Sequence, residues 1–520
     1  WLLFLILLLS MQTISLAQSR SITGTVRDAQ NQPLANVSVQ VKNTSAGTIT
    51  DEQGFYQIVV PSGSVTLSFS SVGYGTQEIP VGPSNVIDVT MLRGLASQMD
   101  EVVVVGYNTR TRANLTGSIS DVKGEEIIAT KNENVQNMLT GRLPGLRVSQ
   151  RSAEPGSFSV NMDIRAMGSP LIVIDGVPRD NEAMQRLDPN DIDNISILKD
   201  ATAAVYGVRA ANGVVLVTTK RGKSGKTELS YNGAYVFQFP SGLPATTSAL
   251  DNMILRNEAS RHNLFGQTQV FSDEQLAEYR DGIKKSTDWE KETFRSFGPQ
   301  SIHSLSATGG TDKLKYFFGA GYEYQGSFFK TDDLNYKKYN IRSTITSNIT
   351  NNLKAEVLMN FIMDEQNRSD VDSWWIIRAF WKVGPFFPAY ANNDPTKINY
   401  NDRNDGDNPV AYMNADIVGT RKYARKWIQP AGSLRYDFPF AKGLYLKEMV
   451  SYDWHIWDFS RYGREYQHYL YDEASQTYRG FSTHGPSQAE RGMITRNQLL
   501  TQTTLGYDKR IKNHNVNGLL

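Results

Sequence analysis

The chain has 520 residues and a formal net charge of +1, which leaves no bulk electrostatic case for a nucleic-acid partner. It has no cysteine, which excludes disulfides, thiolate metal sites and a lipid-modified N-terminal cysteine. Aromatic residues reach 11%, with 25 Tyr against 8 Trp, and 41 glycines accompany them, a balance that suits a β protein with many turns.

The chain opens on Trp1 rather than Met and closes on Leu520 inside an alternating stretch, which reads as truncation at both ends. The run WLLFLILLLS is about ten residues, too short for a membrane helix, which needs ~20. Ser15 and Ala17 fit the −3 and −1 positions of a signal-peptidase site, so residues 1–17 read as a signal peptide, with a buried core strand as the competing reading. Nothing after Ala17 is long and apolar enough for a membrane helix, so an exported chain of this kind crosses a membrane only as a β-barrel.

Residues 20–93 alternate with period two between frequent Gly, Asn and Pro, the pattern of a small N-terminal β-sandwich. Val37, Val39 and Val41 share one face. Asp28, Asp51 and Glu52 sit beside turns and are expected to serve them. On Gly24, Val26, Asp28, Pro33, Leu34, Gly54 and Tyr56 the stretch resembles the carboxypeptidase-regulatory-like domain at the front of many Bacteroidetes outer-membrane proteins. That resemblance implies no catalysis.

Residues 100–107 read DEVVVVGY. Val102–Val105 have high β-propensity, yet no turn or partner strand adjoins them. They form either one strand of a local sheet or a strand kept for another protein to pair with.

Residues 108–226 change to a mixed α/β pattern. The stretch NENVQNMLTGRLPGLRV has an Asn cap candidate before Val135, Met138 and Leu139 at helical spacing, and Gly141, Pro144 and Gly145 stop the helix. LIVI at 171–174 is a short apolar strand ended by an Asp-Gly turn. Ile192, Ile195 and Ile197 lead into a short helix that Asp200 can cap and Gly207 can end, and Val214–Thr218 is the return strand.

The segments DEVVVVGYNTRTRANLTGSIS, GRLPGLRV, LIVIDGVPRD and SILKDATAAVYGVRAANGVVLVTTKRG, in this order, resemble the successive signatures of SusC-like TonB-dependent transporters. Two positions depart from the family pattern: Ala166 stands at the first Gly of the usual Arg-Gly-x-Gly-Ser segment, and Val208 stands where Ser is common. The resemblance implies that residues 108–226 are a plug. It also implies that Glu101, Val102, Val103, Val104 and Val105 are the TonB box, gripped by β-augmentation. The competing reading is an ordinary strand inside the plug.

From Thr227 to Leu520 the alternation is long and regular, as in LKYFFGAGYEY, with Tyr316, Phe318, Tyr322 and Tyr324 opposite Lys315 and Glu323. Tyr339, Ile341 and Ile345 likewise oppose Asn340, Arg342 and Thr344. Strands of about ten residues, joined alternately by very short and very long connections, predict residues 227–520 as the N-terminal part of a transmembrane β-barrel. A plugged transporter barrel has about 22 strands, so the barrel is expected to be incomplete, about half present. A soluble β-sandwich is the competing reading. The fold class is therefore mainly β: sandwich, plug, partial barrel.

No catalytic or metal site is expected. None of the six histidines forms HxxxH or HExxH, and GKSGKT lacks the first glycine of a phosphate loop. Asn401–Asn408 has EF-hand-like oxygen ligands, but Arg403 takes a ligand position and Tyr412 stands where the closing Glu belongs. Trp374, Trp375, Trp381 and Tyr390 cluster in a predicted long loop. They are either packing or girdle residues, or a stacking surface for a ligand or a partner.

The resemblance implies an outer-membrane importer with the sandwich in the periplasm and no cofactor. Its partners would be TonB with ExbB/ExbD, a SusD-like surface lipoprotein, outer-membrane lipid, and an oligosaccharide or peptide ligand. A siderophore or cobalamin receptor of the same architecture, and a non-transporting surface adhesin, are the alternatives.

Overall fold

The computed structural model describes residues 19–520 except 43, 45, 62–64, 72–73, 93–101, 106–107, 112–118, 133, 244, 263–268, 402–406, 483–484 and 512–513. The expected signal peptide, Glu101 and most of the EF-hand-like loop lie outside the described residues. The chain divides into two units, one ending near residue 115 and one running to Leu520, with residues 104–109 assigned to the second.

The first unit is a two-sheet sandwich. Its strands are β1 (Ser19–Asp28), β2 (Ser38–Val41), β3 (Gly47–Ile49), β4 (Phe55–Pro61), β5 (Thr66–Ser70), β6 (Gln77–Pro80) and β7 (Val89–Met91). They pair as β4-β1-β7 and β3-β2-β5-β6. Alternation puts Ile22, Val26, Val39, Val41, Tyr56, Ile58, Val60, Leu67 and Phe69 into one core. Two of the three acids serve turns as expected: Asp28 accepts from the Gln30 and Gln32 amides, and Asp51 from those of Gln53 and Phe55.

The valine run is β8 (Val102–Val105), and it pairs with β9 (Asn108–Thr111) in a two-stranded sheet of its own. Neither strand joins the plug sheet. Among the described residues β8 therefore has one strand beside it, and such a hairpin is marginal in isolation.

The plug is built on a five-stranded sheet, order β10 (Ile119–Lys123), β15 (Ile192–Leu198), β16 (Val214–Thr219), β13 (Leu171–Ile174), β14 (Val177–Arg179). A separate hairpin joins β11 (Leu146–Gln150) to β12 (Val160–Ile164). β13 and β16 run parallel and are buried on both faces, which is why LIVI and VVLV are uninterrupted apolar runs. Helices α1 (Gly124–Ile127), α2 (Val135–Met138) and α3 (Asn181–Gln185) pack Ile127, Val135, Met138 and Met184 against Ile164, Ile174, Ile195 and Val217. Asn134 caps α2 as expected, accepting from the Gln136 amide.

Two expectations in the plug need correction. The segment Asp200–Ala210 is 3-10 helix with Lys199, not Asp200, at the cap position, and the Thr202 hydroxyl accepts from the Lys199 amide. Gly207 (φ 70°) kinks this segment rather than ending it. Ala166, the first departure from the family pattern, has φ 60° beside Arg165 at φ 52°. Alanine thus holds a left-handed conformation that glycine would adopt without its ~1 kcal/mol steric cost, and the Asp163 carboxylate steadies it by accepting from its amide.

The remaining strands form one open nine-stranded antiparallel sheet, order β17 (Gly225–Gln238), β18 (Gly298–Gly310), β19 (Leu314–Gly326), β20 (Asn335–Asn348), β21 (Leu353–Ser369), β22 (Gly419–Asp437), β23 (Leu444–Gly463), β26 (Gln488–Ile511), β27 (His514–Leu519). β24 (Gln467–Asp472) and β25 (Thr477–Ser482) form a hairpin in the loop between β23 and β26. Burial is inverted relative to a soluble sheet. Leu229, Tyr231, Ile341, Ile345, Val357 and Met359 are exposed, while Lys338, Asn340, Arg342, Thr344 and Asp364 are buried. Such a sheet presents its apolar face to lipid. Its main strands run from 13 to 24 residues, not about ten. About ten residues suffice to cross the hydrocarbon layer, so the rest projects beyond it.

Connections alternate as expected: 311–313, 349–352 and 438–443 at one end, 239–297, 370–418, 464–487 and the shorter 327–334 at the other. The long ones carry structure of their own. The first holds α4 (Ala249–Arg261), α5 (Asp273–Arg280) and α6 (Trp289–Thr293), and the second holds α7 (Ser373–Lys382). Among the described residues no helix is long and apolar enough to cross a membrane.

Candidate functional site

The polar face of the sheet meets the plug through buried charges. The Asp-Gly turn between β13 and β14 places Asp175 (φ 51°) against the wall. Its carboxylate accepts from Arg342 of β20 and from the Thr219 amide (3.0 Å) and hydroxyl (2.8 Å). Arg221 stands 3.7 Å away and pairs with Glu356 of β21. Burial alone would raise the Asp175 carboxyl, but the two guanidiniums and the Thr219 hydrogen bonds hold it below the usual carboxylate range.

Further polar contacts extend the seam. Arg179 reaches Asp453 of β23 with two bonds of 2.7 and 3.0 Å. Arg186, just after α3, donates to Asp364 of β21 at 2.5 Å and lies between the rings of Phe158 (4.5 Å) and Trp427 (4.7 Å). Asp188 caps a one-turn 3-10 helix that ends on Asp191, and both face the Asn340 amide, at 3.3 and 3.5 Å. Two glycines of β19 make room for them. A Cβ at Gly319 would sit 2.5 Å from an Asp191 oxygen, and one at Gly321 would sit 2.2 Å from an Asp188 oxygen. Burial, and then the neighbouring Asp188 charge, push the Asp191 carboxyl up to about 7.

At the long-loop end a cavity of 560 Å³ opens between plug and wall. The plug contributes the loop at 154–159, the start of β12 and residues from Asn181 to Arg186, and the wall contributes Gln366, Arg368, Tyr423, Arg425 and Trp457. Arg368 donates to Asp372 at 2.7 Å and lies 3.7 Å from Glu154. Burial pushes the Glu154 carboxyl up, against the pull of Arg368 and of the Ser373 hydroxyl that donates to it at 3.0 Å.

The structure separates the aromatic residues singled out from sequence. All four lie in the long connection 370–418, as expected, but the three tryptophans stand on helix α7 and Tyr390 follows it. Asp372 caps α7, accepting from the Trp374 amide, and Ile376, Ala379 and Phe380 turn inward. Trp374, Trp375 and Trp381 lie on the exposed side, 58%, 47% and 54% accessible. Trp374 and Trp381 meet edge to face at 6.5 Å, and Arg378 lies over Trp375 at 4.6 Å. Tyr390 packs instead against the apolar cluster under α7. In the EF-hand-like stretch, Asp407 accepts from Lys382 (3.1 Å) and the Tyr412 hydroxyl (2.8 Å). No group of three or more metal-ligating side chains occurs among the described residues.

Sequence reasoning missed the cavity and the seam. Its signal was present only as polar residues on the buried side of each alternating strand. The partners are far apart in the chain: 178 residues separate Arg186 from Asp364, and 167 separate Asp175 from Arg342.

A small α/β domain, keyed by buried ion pairs to the polar face of a sheet whose other face is apolar, defines a plugged outer-membrane β-barrel protein. The family model "TonB-dependent Receptor Plug Domain" matches residues 111–214, and "CarboxypepD_reg-like domain" matches 22–104. The chain is 31% identical over 395 residues to the TonB-dependent receptor SusC of Bacteroides thetaiotaomicron, covering 73% of this chain and 37% of the relative. It is 35% identical over 359 residues to TonB-dependent receptor P26 of Formosa agariphila, covering 66% and 34%. In fold it matches the RagAB peptide importer in its open-open state with a TM-score of 0.64 at 20% identity, over 80% of this chain and 48% of that one. The chain belongs to the SusC-like TonB-dependent receptors of the outer membrane. It spans little more than a third of the length of the curated relatives it matches.

Proposed function

We propose that the protein imports a large polar nutrient, an oligosaccharide or a peptide, across the outer membrane. The observation that supports this best is the seam between plug and wall, closed largely by ion pairs and amide contacts. Polar contacts of that kind exchange for water more readily than a dry apolar interface, so the plug can shift locally without global unfolding.

In this reading TonB, energised through ExbB and ExbD, grips Glu101, Val102, Val103, Val104 and Val105 by adding a strand to β8. β-Branched valine lowers the ordering cost of that pairing. A SusD-like lipoprotein covers the long-loop end, and Trp374, Trp375 and Trp381 offer that partner or the ligand an exposed aromatic face. Tyr390 has a packing role. The sandwich at 20–93 lies on the periplasmic side. Transport of this kind needs no covalent step and no cofactor.

Val103→Pro removes a strand-pairing donor. Uptake of the supporting nutrient is expected to fall to background while surface abundance stays unchanged. Undiminished uptake would remove the assignment of β8. Growth of a deletion strain on a panel of glycans and peptides separates the two cargo classes.

A further inference from the structure

The outward, lipid-facing side of the wall changes chemistry along its length. Across five strands, β20 to β23 and β26, register sets Ser347, Ala355, Leu434, Glu448 and Thr503 in one outward row near the short turns. The next four outward rows hold a single charged side chain, Lys426, in the fourth. Ile341, Phe361, Ile428 and Trp454 stand in the third. The fifth row, ten residues from the start, holds Lys337, Glu365 and Asp458, and the sixth holds Lys422 and Arg491. About ten strand residues cross the hydrocarbon layer, so the charged rows fall at its outer boundary, on the long-loop side. Lys426 reaches that level by extending its stem along the apolar face.

This band carries surplus positive charge: four cations, Lys337, Lys422, Lys426 and Arg491, against two carboxylates, Glu365 and Asp458. Arg491 donates to Asp458 at 3.0 Å. The three lysines pair with no carboxylate among the described residues, and Lys422 and Lys426 are exposed. A lone lysine in water needs no partner. These adjoin a membrane-facing apolar surface, where each lipid brings a headgroup to their level. Lys422 and Lys426 are four residues apart on β22, about 13 Å, while Lys337 and Arg491 lie two strands away on either side, about 10 Å. So wide a patch suits a headgroup with more than one anionic group.

We propose that Lys337, Lys422, Lys426 and Arg491 bind the phosphates of a phosphorylated glycolipid in the outer leaflet, whose acyl chains lie along Ile341, Ile428 and Trp454. The apolar rows directly beneath the cations argue for an amphiphile over a soluble anion. Phosphate suits the patch better than carboxylate because it carries more charge and more acceptor oxygens. The inference concerns the wall and goes beyond the import reading.

The test is native mass spectrometry of the full-length receptor in nanodiscs of zwitterionic lipid, titrated with diphosphoryl lipid A, monophosphoryl lipid A and the dephosphorylated form. Wild type is expected to bind the diphosphoryl form at least about fivefold more tightly than the dephosphorylated one, the factor for one cation at an anionic surface, with the monophosphoryl form between them. The triple variant Lys337→Gln, Lys422→Gln, Lys426→Gln is expected to abolish that preference and leave binding of the dephosphorylated form within about twofold. Should it fail to insert, Lys422→Gln alone is expected to reduce the preference at least about twofold, and Lys422→Arg to retain it. Equal binding of all three lipids by wild type, or a preference undiminished in the triple variant or in Lys422→Gln, overturns the site. So does loss of a second protein chain from the particle, instead of lipid, in the lysine variants. Each of those results leaves the import reading standing, because none of these side chains faces the plug or the cavity.

Discussion

Asp191 sits where a carboxylate is least comfortable, fully buried beside Asp188 in the niche opened by Gly319 and Gly321. Arg342, Lys220 and the Asn340 amide pull its carboxyl back, yet burial and the Asp188 charge prevail and raise it to about 7. A carboxyl raised on folding binds its proton more tightly in the folded state. Its contribution to stability is complete at low pH and is lost as pH rises through the window from its ordinary value of about 4 to about 7. Asp175 acts in the opposite sense, since a depressed carboxyl loses its contribution as pH falls. Asp191→Asn is therefore expected to flatten the decline of plug stability between about pH 4 and about pH 7 in scanning calorimetry, at little cost to folding. A variant that declines as steeply as wild type would show that Asp191 is not the group responsible.

At the scale of elements, legibility followed period and range. The alternation of β19, β20 and β21 was plain because residues two apart share a face, and the structure keeps Asn340, Arg342 and Thr344 inside and Tyr339, Ile341 and Ile345 outside. The cap at Asn134 and the Asp-Gly turn at Asp175 were legible for the same reason: their chemistry is local. The true lengths of the strands were not, because beyond the bilayer a strand no longer needs an apolar outer face. Helix α7 was hidden by its own composition. Ile376, Ala379, Phe380 and Val383 have helical spacing and form its inner side, but Trp381 among them and Trp374 and Trp375 before them masked the stripe. The outer tryptophans are expected to matter for recognition and not for assembly. Trp374→Ala with Trp375→Ala should leave barrel stability within about 0.5 kcal/mol, as for exposed positions, while weakening ligand or lipoprotein binding several-fold. Unchanged binding of both in a pull-down and a titration would count against a recognition role.

For the molecule as a whole, the arrangement of contacts separates local opening from expulsion of the entire plug. Asn190 accepts from Asn232 of β17 at 2.9 Å, next to the Asp188 and Asp191 seat. These 520 residues hold no competing thiol, so introduced cysteines at 190 and 232 can be joined there by a short bismaleimide. If the path opens near the cavity and the plug's leading edge, linking 190 to 232 leaves uptake within about twofold of the unlinked protein. Complete loss of uptake on linking would mean that the Asp188–Asp191 turn must itself leave the wall.

The order of the plug sheet has a mechanical corollary. β10 is the edge strand nearest in sequence to the valine run, and among the described residues it is fastened on one side only, by five residue pairs to β15. Tension applied upstream of Ile119 therefore loads that short ladder before it loads any strand bonded on both flanks. Rupture begins at this margin, and the force needed is set by five rungs rather than by the strength of the whole domain.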